Sequence, residues 1–281
     1  MNDKLNIGLR GHDVEAEDLP ELSKKLKEYG ISNVQLVLKK SCKGFKEGMF
    51  SPSYAKKIGE TFSEKGIEIS VLGCYINPSN TNEEVLEKDM TYFVENLKYA
   101  RYMNAGVVGL ETGFVGEKCI TENNQTEEAY QYLLSNMKVL RDAAEKIGVM
   151  IAVEAVSCFV INSPERMLRL VNDLDSPNIL VIFDLLNLLT IDNYKNQEEI
   201  IDMAFELLGD KIAVIHLKDY KIEGNQLKQC PIGEGLLNIS KILSLIKHHK
   251  PNVPIILEEL KEGNLLKELR VFENSEKMIN S

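Results

Sequence analysis

No stretch of this chain is apolar enough to cross a bilayer. Nothing approaches the run of about 20 apolar residues that a spanning helix needs, and the opening MNDKLNIGLRGHDV lacks the apolar core of a signal peptide. A cytoplasmic protein without a membrane partner is the expectation. Paired cysteines are also missing: Cys42, Cys74, Cys119, Cys158 and Cys230 are odd in number, widely spaced and never in a CxxC pair. That pattern excludes a zinc ribbon and gives no disulfide framework, so reduced thiols are expected. The turn after the first apolar run, RGHDVEAED, has no glycine-rich phosphate fingerprint, and GxxxxGK[ST] occurs nowhere. Excess basic charge is absent as well. With 33 Lys and Arg against 43 Asp and Glu the formal net charge is −10, which disfavours nucleic acid as a partner, because such binding rests on clustered cations. Finally, no Pro-, Gly- or Ser-rich linker and no low-complexity tract divides the 281 residues. One domain over residues 1–281 is therefore expected.

What is present is a repeated pairing of apolar runs with amphipathic segments. A hydrophobic content of 44% and a charged content of 27% are ordinary for a globular chain. Leu5–Gly11 precedes a helix near LPELSKKLKEYG, where Leu19, Leu22 and Leu26 share a face and Gly30 supplies a stop. Asn33–Leu38 precedes SPSYAKKIGETFSEKG, with Ser51 as cap and Pro52 at the first helical position. Strand-length runs follow at Ile67–Ile76, Ala105–Thr112, Val149–Val156, Asn178–Leu185, Lys211–Lys218 and Val253–Leu260. Their helices are expected near 82–103, 126–147, 163–174, 197–208, 237–249 and 265–277. Near-continuous Val/Ile/Leu strands alternating with helices imply a parallel sheet covered on its faces. Eight such pairs in under 300 residues make an α/β protein with a single closed (β/α)₈ TIM barrel the economical fold; an open doubly wound sheet is the alternative.

In such barrels the chemistry sits at the C-terminal ends of the strands. The fifth apolar run carries Glu154, the sixth Asp184, the seventh His216, and the eighth Glu258 and Glu259, each after several apolar residues. A carboxylate at a strand end ordinarily is solvated or caps the next helix, and a histidine in a buried run ordinarily is a core residue with one hydrogen-bond partner. Four such places coinciding at one mouth point elsewhere. Burial of these acids is costly unless a cation compensates, and oxygen-rich ligation with one imidazole suits Mn²⁺, Mg²⁺ or Co²⁺, with Zn²⁺ also open.

The segments AVEAV, VIFDLLNLL, VIHLKDY, PIGEGLLN and PIILEEL, in that order and spacing, resemble the xylose isomerase-like barrel superfamily of sugar phosphate isomerases and epimerases. That superfamily includes ketose 3-epimerases, hydroxypyruvate isomerases, inosose isomerases and dehydratases, and metal-dependent abasic-site endonucleases. The resemblance extends over essentially the whole chain. It implies Glu154, Asp184, His216 and Glu258 as metal ligands, with Glu154 and Glu258 doubling as the catalytic bases on the two faces of a sugar carbon. The implied activity is a metal-dependent isomerase or epimerase of a small sugar or sugar phosphate, working through an enediolate. A dehydratase-like lyase and a non-catalytic sugar-binding barrel are the alternatives.

Substrate contacts are expected from Asn187, where relatives place His or Asn, and from Lys218, His12, Tyr75 and Glu111; Arg10, Asp13, Asn77 and Asp219 are further strand-end candidates. Two departures narrow the branch. Where ketose epimerases tend to carry a second glutamate, four residues past the strand-five ligand, this chain has Cys158. The endonuclease branch needs more histidines than His12, His216, His248 and His249, the last two of which are expected on a helix surface. Gly233 and Gly235 precede the seventh helix, but Glu234 between them would repel a phosphate, which tips the reading toward an unphosphorylated substrate. A homo-oligomer is left open.

Overall fold

The computed structural model describes residues 5–280. Its first half runs β1 (Ile7–Arg10), α1 (Leu19–Glu28), β2 (Asn33–Leu36), α2 (Leu38–Ser41), α3 (Pro52–Ser63), β3 (Glu68–Gly73), α4 (Glu83–Met103) and β4 (Val107–Glu111). Then come α5 (Thr121–Asn124), α6 (Glu127–Ile147), β5 (Ile151–Glu154), α7 (Pro164–Leu174), β6 (Ile179–Asp184), α8 (Leu185–Leu188) and α9 (Gln197–Leu208). The chain ends with β7 (Ile212–Leu217), β8 (Asp219–Glu223), β9 (Gln226–Cys230), α10 (Ile239–His249), β10 (Ile255–Leu257) and α11 (Leu265–Asn280). Eight strands pair in parallel around a closed barrel in chain order, with β7 pairing β10 past the β8 and β9 segments, and β1 against β10 closes the ring. This is the (β/α)₈ TIM barrel expected from the alternation of apolar runs and helices.

The helices start where their capping residues dictate. The Asp18, Ser51, Asn82, Thr126, Ser163 and Asn238 side chains each accept a backbone N–H of the first turn of α1, α3, α4, α6, α7 and α10. Inside the ring Val71, Val107, Ala152, Ile182, Val214 and Ile256 form a small apolar plug, separate from the large core between strands and helices. That plug closes the barrel beneath its C-terminal mouth. Among the described residues no helix is long and apolar enough to cross a membrane.

One element differs from expectation. The connection from β7 to α10 is not plain loop: β8 and β9 pair antiparallel as a hairpin outside the barrel, turning at Gly224 (φ 63°). The α3–α4 crossing is also closer than side chains allow. A Cβ at Gly59 of α3 would lie 2.5 Å from the carbonyl oxygen and 2.9 Å from the Cα of Met103, both backbone atoms that cannot rotate away. Gly59→Ala should therefore cost about 1–3 kcal/mol through forced helix separation. Urea unfolding of the two proteins checks this, and equal midpoints would refute it.

Candidate active site

The four residues expected to hold a cation meet at the mouth. Glu154 is the last residue of β5, Asp184 the last of β6, and His216 sits one from the end of β7 in register with Asp184. Strand β10 is only three residues long, so Glu258 lies just beyond it. All four are buried, the first three 2% exposed and Glu258 7%. One ligand atom each of Glu154, Asp184 and His216 falls within 4.8 Å of the others. Glu258 joins them through His216: its Oε1 lies 3.2 Å from Nδ1, and Glu154 Oε2 lies 3.3 Å from the same nitrogen.

The other ring nitrogen is committed. His216 Nε2 is 2.7 Å from Gln35 Oε1, and the Gln35 amide donates to the Tyr75 hydroxyl at 2.8 Å. With the amide oxygen facing the ring, Nε2 carries the proton and Nδ1 is turned toward the acids. His216 is thus held by one partner, as a core histidine would be, while its second nitrogen faces a cluster of carboxylates. Nδ1 of His216 and Oδ2 of Asp184 are buried with no aligned hydrogen bond. Each faces charge instead: Asp184 Oδ2 lies 2.7 Å from the Lys218 ammonium, and His216 Nδ1 faces Glu154 and Glu258. Buried carboxylates and an imidazole fit a divalent cation, which Glu154, Asp184 and His216 could hold with Glu258 beside them.

Burial and mutual charge shift several groups here. Burial drives the Asp184 carboxyl up to about 6 even though Lys218 opposes it. Burial also acts on Glu258, but His216, Lys218 and Arg10 outweigh it and hold that carboxyl at about 2. His216 rises to about 9 because Glu258 and Glu154 overcome its desolvation. Glu111 is carried up to about 7 by burial and by the charge of Glu154, its neighbour in strand register.

A cavity of about 350 Å³ opens above these acids, and Arg10, His12, Tyr75, Glu111, Asn187 and Lys218 are on its wall. All five substrate-contact candidates are therefore brought together. Asn187 donates to Glu154 Oε1 at 2.6 Å. Lys218, only partly exposed, turns to Asp184 and Glu258 rather than to solvent. Tyr75 leaves part of its ring exposed while its hydroxyl meets Gln35. A larger cavity, about 690 Å³, lies at the opposite end of the strands; its charged residues Lys56, Glu60 and Glu68 are all exposed, and nothing there resembles a reaction centre.

A family model described as a xylose isomerase-like TIM barrel matches residues 23–275. The chain belongs to that family. Among curated relatives, the protein named "Probable L-ribulose-5-phosphate 3-epimerase UlaE" from Mycoplasma pneumoniae is 27% identical over 177 residues, 63% of this chain and 54% of the relative. The match thus spans about half of that relative's length. Among solved structures, a D-tagatose 3-epimerase-like protein superposes with a TM-score of 0.77 at 21% identity over 98% of both chains. The IOLI protein, solved with a bound zinc atom, gives 0.71 at 16% identity over 98% of each. Identities this low show a shared fold.

Within this xylose isomerase-like barrel, three of the weaker candidates serve the scaffold. Asp13 is bound twice by Arg10 at 2.9 Å, and Arg10 also binds Glu259 at 2.9 Å. Asn77 ties the loop after β3 to the loop after β4, accepting from Ser79 and Phe114 and donating to the Phe114 carbonyl. Asp219 is 1% exposed and accepts four backbone N–H groups, of Tyr220, Gly233, Gly235 and Leu237, at 2.8–2.9 Å. This explains Gly233 and Gly235 as parts of a tight turn around a carboxylate. His248 and His249 are exposed, as expected. Sequence reasoning missed Gln35; its only signal was a polar residue inside the buried run NVQLVL.

Proposed function

We propose that the chain is a divalent-metal-dependent isomerase or epimerase of a small sugar or sugar phosphate, moving a proton through an enediolate. The observation that carries this reading is the buried convergence of Glu154, Asp184, His216 and Glu258 at the barrel mouth, with Asp184 Oδ2 and His216 Nδ1 held by charged neighbours without an aligned hydrogen bond. Family membership supports it, as do the epimerase names of the relatives.

Glu154, Asp184, His216 and Glu258 are the proposed ligands. A divalent cation bound there would supply the positive charge that stabilises an enediolate oxygen. Glu258 takes the proton from carbon and Glu154 serves the opposite face; Asn187 orients Glu154 through the 2.6 Å hydrogen bond. His12, Tyr75, Glu111, Asn187 and Lys218 hold the substrate oxygens. With its carboxyl near neutrality in strength, Glu111 can present either a proton or a lone pair to a hydroxyl. The apolar plug beneath closes the floor of the site.

The test is a screen of ketoses, aldoses and keto-inositols, free and phosphorylated, in D₂O with added Mn²⁺, read by NMR. Deuterium at one carbon identifies substrate and reacting position together, and Asp184→Asn and His216→Ala should abolish both Mn²⁺ uptake and exchange. Ion binding without exchange into any sugar would favour a binding barrel instead.

A further inference from the structure

Lys218 stands where the acids of the site converge. It lies two residues after His216, so the alternation of an extended chain brings both side chains to the same mouth. Its ammonium is 2.7 Å from Asp184 Oδ2 and 3.0 Å from Glu258 Oε2, and the side chain is only 10% exposed. The other oxygen of Asp184 accepts the Asn187 backbone N–H at 3.2 Å. Oδ2 is therefore the oxygen that Asp184 has left for an ion, and Lys218 is on it without hydrogen-bond alignment.

We propose that Lys218 is a built-in occupant of the cation site: its ammonium neutralises Asp184 and Glu258 before an ion is bound and leaves Asp184 Oδ2 when one enters. This rests on the metal reading above. Buried carboxylates without a counter-charge are strongly destabilising, so an ion-free barrel needs a cation of its own. A lysine suits the part, since a compact charge on a flexible four-carbon stem can withdraw in a way that a forked, bidentate guanidinium cannot. The same contact makes it a competitor. Apparent ion affinity is the intrinsic affinity reduced by the fraction of molecules in which the ammonium is already displaced. Once displaced, the ammonium remains at the cavity wall, in reach of a substrate oxygen.

Arg10 supplies the control. It carries the same charge, and its Nη1 is 3.8 Å from Glu258 Oε2, but hydrogen bonds to Asp13 and Glu259 hold it in place. It shares the electric field of the site without contacting Asp184.

The experiment measures Mn²⁺ binding by calorimetry, and melting with and without Mn²⁺, on the full chain as wild type, Lys218→Met, Lys218→Gln and Arg10→Met. Lys218→Met should bind Mn²⁺ at least about tenfold more tightly than wild type, the factor returned when a competing ionic contact is removed. It should also melt lower than wild type without the ion and gain more from it. Lys218→Gln, which keeps an amide donor for one carboxylate, should show the same direction and serves if the methionine variant does not fold. Unchanged or weaker binding in both variants overturns the inference while leaving the metal reading intact. An equal gain in Arg10→Met also overturns it, since distant charge would then explain the effect. If neither wild type nor any variant takes up Mn²⁺, the metal reading fails and this inference with it.

Discussion

Glu258→Gln is expected to slow proton exchange between the sugar carbon and solvent by about 10²–10⁴-fold, the usual contribution of a positioned base. The substitution keeps shape and removes only the ability to accept a proton. Glu258 is well placed for the role: Oε1 faces His216 Nδ1 at 3.2 Å and Oε2 faces Lys218 at 3.0 Å, so its orientation is fixed from both sides. Burial would raise its carboxyl, but the charges of His216, Lys218 and Arg10 outweigh it and hold the group below the usual carboxylate range, which favours the basic form. That depression has a cost, because a weaker base needs a better stabilised enediolate, which is what a cation among Glu154, Asp184 and His216 provides. Deuterium wash-in and Mn²⁺ content should be measured on the same sample. Lost exchange with retained ion assigns the base to Glu258, whereas unchanged exchange would move that role to Glu154.

Asp219→Ala is expected to lower stability by about 3 kcal/mol or more, because it leaves four backbone N–H groups without the carboxylate that now binds them and each unsatisfied buried donor costs about 1–3 kcal/mol. Thermal melting should fall by about 6–12 °C for a domain of this size. The effect reaches the mouth, since Asp219 ties the end of β7 to the chain entering α10 and Lys218 is its immediate neighbour. A melting point within a degree or two of wild type would show that water replaces the carboxylate.

The barrel was legible because its strands are buried on both faces and read as continuous Val/Ile/Leu runs, and because caps such as Ser51–Pro52 mark helix starts by local chemistry alone. Glu154, Asp184 and His216 were legible for a related reason: a titratable side chain ending an apolar run stands out from its surroundings. Gln35 did not stand out, since an amide carries no charge and its meaning lies in a contact with His216, 181 residues away. Asp219 was read as a mouth residue because its position resembles that of Lys218, yet it turns instead to the backbone of the next turn. The hairpin β8–β9 escaped because its strands are largely exposed and lack a strong apolar period, although Gly224–Asn225 is a turn signal.

The ring closes through β1 and β10, elements from opposite ends of the chain. Arg10 and Glu259, whose side chains meet beside Glu258, are 249 residues apart in sequence. Bringing such distant segments together costs loop-closure entropy that only the contacts of the closed ring repay. One wall of the candidate site is thus built from both ends of the chain, and its geometry stands or falls with the seam between β1 and β10.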